Sequence, residues 1–286
     1  MSPAPAPSRP GHAALPPRAL ADLGRRTLIM GILNVTPNSF SDGGVYRDED
    51  AAVERASEMA AEGADIIDIG GESTRPGTAP VDAEEEQARA LPVLKRVAAA
   101  RAIPVSIDTY RASTARLAFE AGAAILNDVW GLQREPEIAY VAADRDAPTI
   151  IMHNREKADG AIDILEDMRA FFARSLMIAR HAGLRDENIV LDPGIGFGKT
   201  REQSLHALRE IAILKEFGFP ILAGLSRKSF LAPYYPEGTP PAGRLMATIA
   251  ANAYAVEAGA AIIRVHDVKP HVEAIAVIDA LTRASA

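Results

Sequence analysis

The sequence predicts a (β/α)8 TIM barrel of the α/β class, carried by a single domain. Two observations predict it. Apolar runs of strand length alternate with helical segments without a break from about Thr27 to about Leu281, the pattern of a parallel sheet covered by helices. The eight runs also end on polar residues: at Asn34, at Gly71 to Arg75, at Asp108-Thr109, at Asn127-Asp128, at His153-Asn154, at Asp192-Pro193-Gly194, at Ser226-Arg227-Lys228 and at Arg264 to Asp267. Reactive groups at the carboxyl ends of parallel strands are what such a barrel assembles into one site on one face.

Strand one is Leu28 to Val35, followed by a polar loop from Thr36 to Gly44 and a helix near Glu49 to Glu62, with Asp48 or Asp50 as its cap. Ala64 to Ile69 forms strand two, and a loop from Gly70 to Val81 leads to a helix with Glu84, Glu85 and Glu86 in its first turn. Acidic residues there suit the positive end of the helix dipole. Strand three is Ile103 to Ile107 with a helix from about Arg111 to Ala121, and strand four begins at Ala124 to Leu126 with a short helix near Pro136 to Ala143. Strand five is Thr149 to Met152. The longest helix follows, near Ile162 to Ala182, with Ile164, Leu165, Met168, Phe172, Leu176 and Ile178 on one apolar face and Gly183 as its C-cap. Ile189 to Leu191 and a helix from Glu202 to Phe217 make the sixth unit, and Ile221 to Leu225 makes strand seven. A Pro-Gly loop from Tyr234 to Pro241, a helix near Arg244 to Ala258, strand eight at Ala261 to Val265 and a helix near Pro270 to Leu281 close the ring.

The hydrophobic share of 48% is ample for one large core over 286 residues, and the net charge of −7 argues against a general nucleic-acid binder. The absence of cysteine removes disulfides, thiolate nucleophiles and thiolate-bound zinc, and fits a reducing compartment, here taken as the cytoplasm. No apolar stretch approaches the roughly 20 residues that cross a bilayer. The Pro- and Ala-rich start lacks the apolar stretch of a secretory signal and is expected to be a disordered tail over residues 1–24, with the barrel over 25–286.

Asp192-Pro-Gly-Ile-Gly-Phe-Gly-Lys199 places three glycines in five positions after a strand, which lets backbone approach a flat ligand. It matches neither the dinucleotide fingerprint nor the phosphate-binding loop GxxxxGK, so nucleotide binding is discounted. Asp108, Asn127 and Asp192 end strands three, four and six, where amides and carboxylates can read the donor and acceptor edge of a heterocycle. Helix capping is the alternative for each alone, most seriously for Asp108. Lys228, Arg264 and His266 follow strands seven and eight, where barrels often bind phosphate. Arg264 and His266, two apart, share one face of their strand. Asn34 offers an amide oxygen suited to Mg2+, and the loops bearing Phe40 and Ser73-Thr74-Arg75 form a pair of lids.

Assembled, these stretches resemble the dihydropteroate synthase family. The resemblance rests on Gly31-Ile-Leu-Asn-Val-Thr-Pro-Asn-Ser-Phe-Ser-Asp-Gly-Gly44, Asp68-Ile-Gly-Gly-Glu-Ser-Thr-Arg-Pro-Gly77, Asp192 to Lys199, Ser226-Arg-Lys-Ser229 and Arg264-Val-His-Asp-Val268, in the family's order. It implies condensation of (7,8-dihydropterin-6-yl)methyl diphosphate with 4-aminobenzoate, releasing pyrophosphate before the amine attacks. It further implies that Asp108, Asn127, Met152, Asp192, Gly224 and Lys228 hold the pterin, and that Asn34, Arg264 and His266 hold the diphosphate, Asn34 also meeting Mg2+. Thr74, Arg75, Phe197 and Ser229 would shape the 4-aminobenzoate site, with Phe40 on the other lid. Asp108, Lys228, Arg264 and His266 would be the catalytic residues, in a homodimeric sulfonamide target without nucleic-acid or membrane partners. Asn38, Asn154-Arg155-Glu156 and Arg244 to Thr248 depart from the family pattern. Two other readings are a pterin-binding methyltransferase working with a corrinoid protein, which has no use for phosphate-binding lids, and a silent paralogue that binds a pterin without turnover.

Overall fold

Strands β1 (Leu28–Asn34), β2 (Ile66–Gly70), β3 (Val105–Asp108), β4 (Ile125–Asp128), β5 (Thr149–Met152), β6 (Ile189–Asp192), β7 (Ile221–Ala223) and β8 (Ala260–Val265) pair in parallel in that order. The last pairs back to the first, closing a barrel. These relations come from a computed structural model that describes residues 18–35, 45–72, 80–100 and 102–283. The covering helices are α1 (Val45–Ala61), α2 (Ala83–Ala99), α3 (Ala112–Glu120), α4 (Glu137–Asp144), α5 (Ile164–His181), α6 (Arg201–Arg209), α7 (Leu245–Glu257) and α8 (Val268–Thr282).

The strands are buried on both faces, so their sequences run apolar without obvious alternation. Period two still sorts them. Outward residues such as Ile29, Leu33, Ile67, Ile69, Val105, Ile107, Leu191 and Ile263 pack under the helices in the main core. Inward residues form a separate apolar plug of Leu28, Met30, Ile66, Ile125, Ile150, Val190, Leu222 and Ile262, floored by Leu20. Two positions further along the same inward faces stand Asp68, Asn127, Met152, Asp192, Gly224 and Arg264. The barrel is thus dry at its amino end and polar at its carboxyl end.

Local sequence sets the helix starts. Asp82 accepts from Glu85 N–H at 2.8 Å ahead of α2, Asp163 accepts from Leu165 N–H at 2.9 Å ahead of α5, and Thr200 with Gln203 forms a reciprocal capping box on α6. Gly183, at φ +83, stops α5 as expected.

Four expectations need adjustment. Helix α1 begins at Val45, so Asp48 and Asp50 lie within it and do not cap it. The sixth helix does not run unbroken to Phe217: α6 ends at Arg209, and a 3-10 helix covers Ile211–Phe217 before Gly218 turns the chain at φ +78. The strands sit within two residues of their expected bounds: β2 and β3 start two residues later, at Ile66 and Val105, and β7 stops two earlier, at Ala223. Of the expected tail, residues 1–17 lie outside the described residues, whereas Arg18–Leu20 is a 3-10 helix whose Leu20 is buried against the barrel plug. A leucine amid prolines reads as tail until a hydrophobic floor needs covering.

Candidate active site

The polar layer is tied together by ion pairs among β2, β3 and β8 and by an amide hydrogen bond from β4. Asp68 Oδ2 accepts from Arg264 Nε at 2.6 Å and from Asn127 Nδ2 at 3.0 Å. Arg264 Nη2 donates to Asp108 Oδ2 at 2.7 Å. One guanidinium therefore spans two carboxylates from strands two and three, a fork that only arginine supplies. The second oxygens, Asp68 Oδ1 and Asp108 Oδ1, are buried without a protein partner among the described residues, as is Ser106 Oγ. A buried acceptor left unmade costs about 1–3 kcal/mol, so such oxygens mark where a ligand's donors belong. Burial, partly offset by Arg264 and reinforced by the charge on Asp68, pushes the Asp108 carboxyl up to about 8.

Across the mouth, Asp192 Oδ1 accepts from Gly194 N–H at 2.7 Å. Its Oδ2 faces the bare α-carbon of Gly224, where an added Cβ would lie 3.6 Å from it and 3.9 Å from Lys228 Nζ. Burial raises the Asp192 carboxyl, with Lys228 opposing the rise. It draws Lys228 down to about 8, with Asp192 opposing the fall. Lys228 Nζ also donates to the Ile195 carbonyl and lies 4.5 Å from the Phe197 ring centroid. Tyr110, Val129 and Met152, with Trp130 and Phe197 against them, wall the space between these groups with apolar surface. A flat heterocycle fits such walls, its polar edge meeting the carboxylates and the amide.

A cavity of about 290 Å3 adjoins, lined by Asn34, Phe197, Gly224, Ser226, Lys228, Ser229, Arg264 and His266 among others. A larger crevice of about 430 Å3 sits at the amino end beside Ala124, Pro148 and Asn188, remote from this chemistry. The cavity at the carboxyl end is the site, because the ionisable groups converge there.

The glycine-rich loop after β6 is held from below by a buried lysine. Lys199 Nζ donates to Gly194 O at 2.8 Å and Phe197 O at 3.2 Å, and meets His153 Nδ1 at 2.7 Å. His153 Nε2 in turn lies 3.0 Å from Asp167 Oδ2. Gly194 is obligatory: its φ is +59, and a Cβ there would fall 1.8 Å from His153 O. The unusual Asn154-Arg155 turn belongs to the same packing, Asn154 Nδ2 donating to Val129 O at 2.9 Å.

The barrel brings Asn34, Asp108, Asn127, Met152, Asp192, Phe197, Gly224, Lys228, Ser229, Arg264 and His266 to one end. Asp108 is no helix cap, since Arg111 holds that position on α3 and the carboxylate turns to Arg264. Asp192 both braces the following turn and faces the pocket. Phe40, Thr74, Arg75 and Asn38 lie outside the described residues. Sequence reasoning left Asp68 unassigned, although a lone carboxylate two residues after Ile66 on an apolar strand shares its inward face. It also passed over Asp128, whose oxygens accept from Trp130 and Leu132 N–H, both at 2.7 Å, fixing the turn that carries the aromatic wall.

Residues 30–266 match the pterin binding enzyme family. The dihydropteroate synthase of Clostridium beijerinckii is 46% identical over 263 residues, covering 92% of this chain and 97% of that protein. A crystal structure of dihydropteroate synthase from Clostridium difficile in the presence of pteroic acid superimposes with a TM-score of 0.88 at 46% identity, over 92% of this chain and 99% of that one. The Xanthomonas albilineans dihydropteroate synthase with 4-aminobenzoic acid gives a TM-score of 0.85 at 40% identity, over 90% and 93% of the two chains. With a closed barrel, a polar pocket at its carboxyl end and this similarity over nearly its whole length, the chain belongs to the pterin binding enzyme family, in its dihydropteroate synthase branch.

Proposed function

We propose that the chain condenses (7,8-dihydropterin-6-yl)methyl diphosphate with 4-aminobenzoate, giving 7,8-dihydropteroate and pyrophosphate, the transferase step of folate synthesis. The observation that carries this reading is the pair of buried carboxylate oxygens on Asp68 and Asp108, without a protein partner among the described residues and set around Arg264 beside an apolar wall, with Arg264 also lining the adjoining cavity that bears His266 and Lys228. The first half suits the ring nitrogens and amino group of a pterin. The second suits an anion that leaves.

In this reading Asp108, Asn127, Met152, Asp192, Gly224 and Lys228 hold the pterin, the apolar wall stacking on its faces. Arg264 and His266 bind the diphosphate and stabilise its charge as the carbon–oxygen bond breaks. In its ionised form, paired with Arg264, the carboxylate of Asp108 offsets the positive charge left on the pterin methylene. The amine of 4-aminobenzoate attacks that carbon and loses a proton to solvent, so no strong base is required. Phe197 and Ser229, with Thr74, Arg75 and Phe40 from the two loops, shape the second-substrate site.

Magnesium fits the donor set. Asn34 offers one neutral amide oxygen at the rim of the cavity beside Arg264 and His266. Among the described residues no cluster of three acidic or histidine side chains could cage an ion. An ion held by one protein oxygen plus phosphate and water is the habit of Mg2+, and when bound it would neutralise charge on the diphosphate. A homodimer, a cytoplasmic location and sulfonamide binding at the 4-aminobenzoate position complete the proposal. Among the described residues no helix is long and apolar enough to cross a membrane.

Incubating the purified chain with the pterin diphosphate, 4-aminobenzoate and Mg2+ should release pyrophosphate and dihydropteroate in equal amounts. Pyrophosphate without dihydropteroate, or neither, overturns the reading. A corrinoid-dependent methyltransferase would instead consume methyltetrahydrofolate, for which the cationic half of the cavity has no purpose.

A further inference from the structure

The loops after β7 and β8 are joined by side chains where their backbone ladder has ended. The last register pair is Ala223 with Ile263. Three residues on, Ser226 Oγ lies 2.9 Å from His266 Nδ1 and accepts from the His266 backbone N–H at 3.2 Å. The neighbouring residues clasp in parallel, with Arg227 Nε and Nη2 donating to Asp267 at 3.0 and 2.5 Å. Arg227 holds φ +59 for this, its N–H donating to Thr248 Oγ1 at 3.2 Å. Ser226 is buried, although it touches the cavity.

Proton counting follows from these contacts. A serine has one proton, and Ser226 Oγ already accepts from a backbone N–H. Among the described residues the acceptor placed for its own proton is His266 Nδ1. A neutral imidazole carries one donor and one acceptor, so an accepting Nδ1 places the proton on Nε2, at the far side of the ring from Ser226.

We propose that Ser226 is a positioning residue for departure of the diphosphate: it holds His266 as the Nε2–H tautomer, so that a neutral imidazole donates to the leaving anion beside Arg264. The opposite tautomer would present a lone pair to developing negative charge. This rests on the reaction assigned under Proposed function.

The test is 15N NMR of the full chain labelled at histidine, at about pH 8.5, above the ordinary imidazole range, with His266 identified by loss of its signals in His266→Gln. Wild type should show a protonated Nε2 and an unprotonated Nδ1. Ser226→Ala should mix the tautomers and lower kcat about five- to tenfold, with the KM for 4-aminobenzoate moving less than about twofold. Ser226→Thr, which keeps the hydroxyl, should restore both. A protonated Nδ1 in wild type overturns the proposal, as does an unchanged tautomer or unchanged kcat in Ser226→Ala. The wild-type measurement needs no variant, so the proposal can still be refuted should Ser226→Ala not fold. A wild-type chain that makes no dihydropteroate sinks the assigned reaction, while the tautomer is read independently of turnover.

Discussion

Replacing Asp68 by asparagine keeps the size of the side chain and removes one charge from the centre of the polar layer. Two contacts converge on the oxygen concerned, from Arg264 Nε at 2.6 Å and Asn127 Nδ2 at 3.0 Å. An amide cannot accept both on one strongly charged atom, and if its NH2 group turns inward it faces two donors. Losing a hydrogen bond to a charged group costs about 1.5–3 kcal/mol. With Arg264 still held by Asp108, that loss should appear as about a 10- to 100-fold fall in kcat/KM.

The same change has a pH signature. Asp108 titrates at about 8 in the folded chain, raised first by burial and further by the charge on Asp68. A carboxyl whose folded pKa exceeds its unfolded value binds more protons folded than unfolded between the two. The fold therefore loses stability as pH rises from about 4 towards 8. Removing the Asp68 charge lowers the folded pKa of Asp108 and shortens that window. Urea unfolding of both proteins should show Asp68→Asn destabilised more at pH 6 than at pH 8.5. A deficit that stays level or widens with pH refutes the coupling, and an unchanged kcat/KM refutes the anchoring role of Asp68.

Lys228→Met should weaken binding of a pterin about 10- to 100-fold by calorimetry, because it removes the cation beside Asp192 and over Phe197; full affinity would place Lys228 outside the pocket. Arg75→Ala should raise the KM for 4-aminobenzoate and lower turnover, and unchanged values of both would remove that loop from the second-substrate site. Lys199→Met should lower stability by about 2–4 kcal/mol in urea titrations, since Gly194 O, Phe197 O and His153 Nδ1 lose their common donor. An unchanged midpoint would show that the glycine-rich loop needs no support from below.

The alternation of apolar runs with helical segments, and the polar residue closing each run, determined the barrel and nearly all of its mouth from sequence alone. Parallel strands buried on both faces leave a strong local signal, and a barrel has only one end at which their carboxyl termini can meet. Asp108, Asn127, Asp192, Lys228 and Arg264 were legible for that reason. Individual partners were not. That Asp108 would serve Arg264 and not cap α3, that Asp68 would bridge β4 and β8, and that Lys199 and Ser226 would orient the loops around them are contacts between residues 40 to 196 positions apart, or between side chains whose rotamers depend on closure. Helix α6 likewise stops short of Phe217 although its apolar spacing continues, because the chain tightens into a 3-10 turn to reach β7. Periodicity assigns a residue to a face. Only the closed ring decides which charges on that face come within 3 Å of one another, and so which of them neutralise each other and which remain for a ligand.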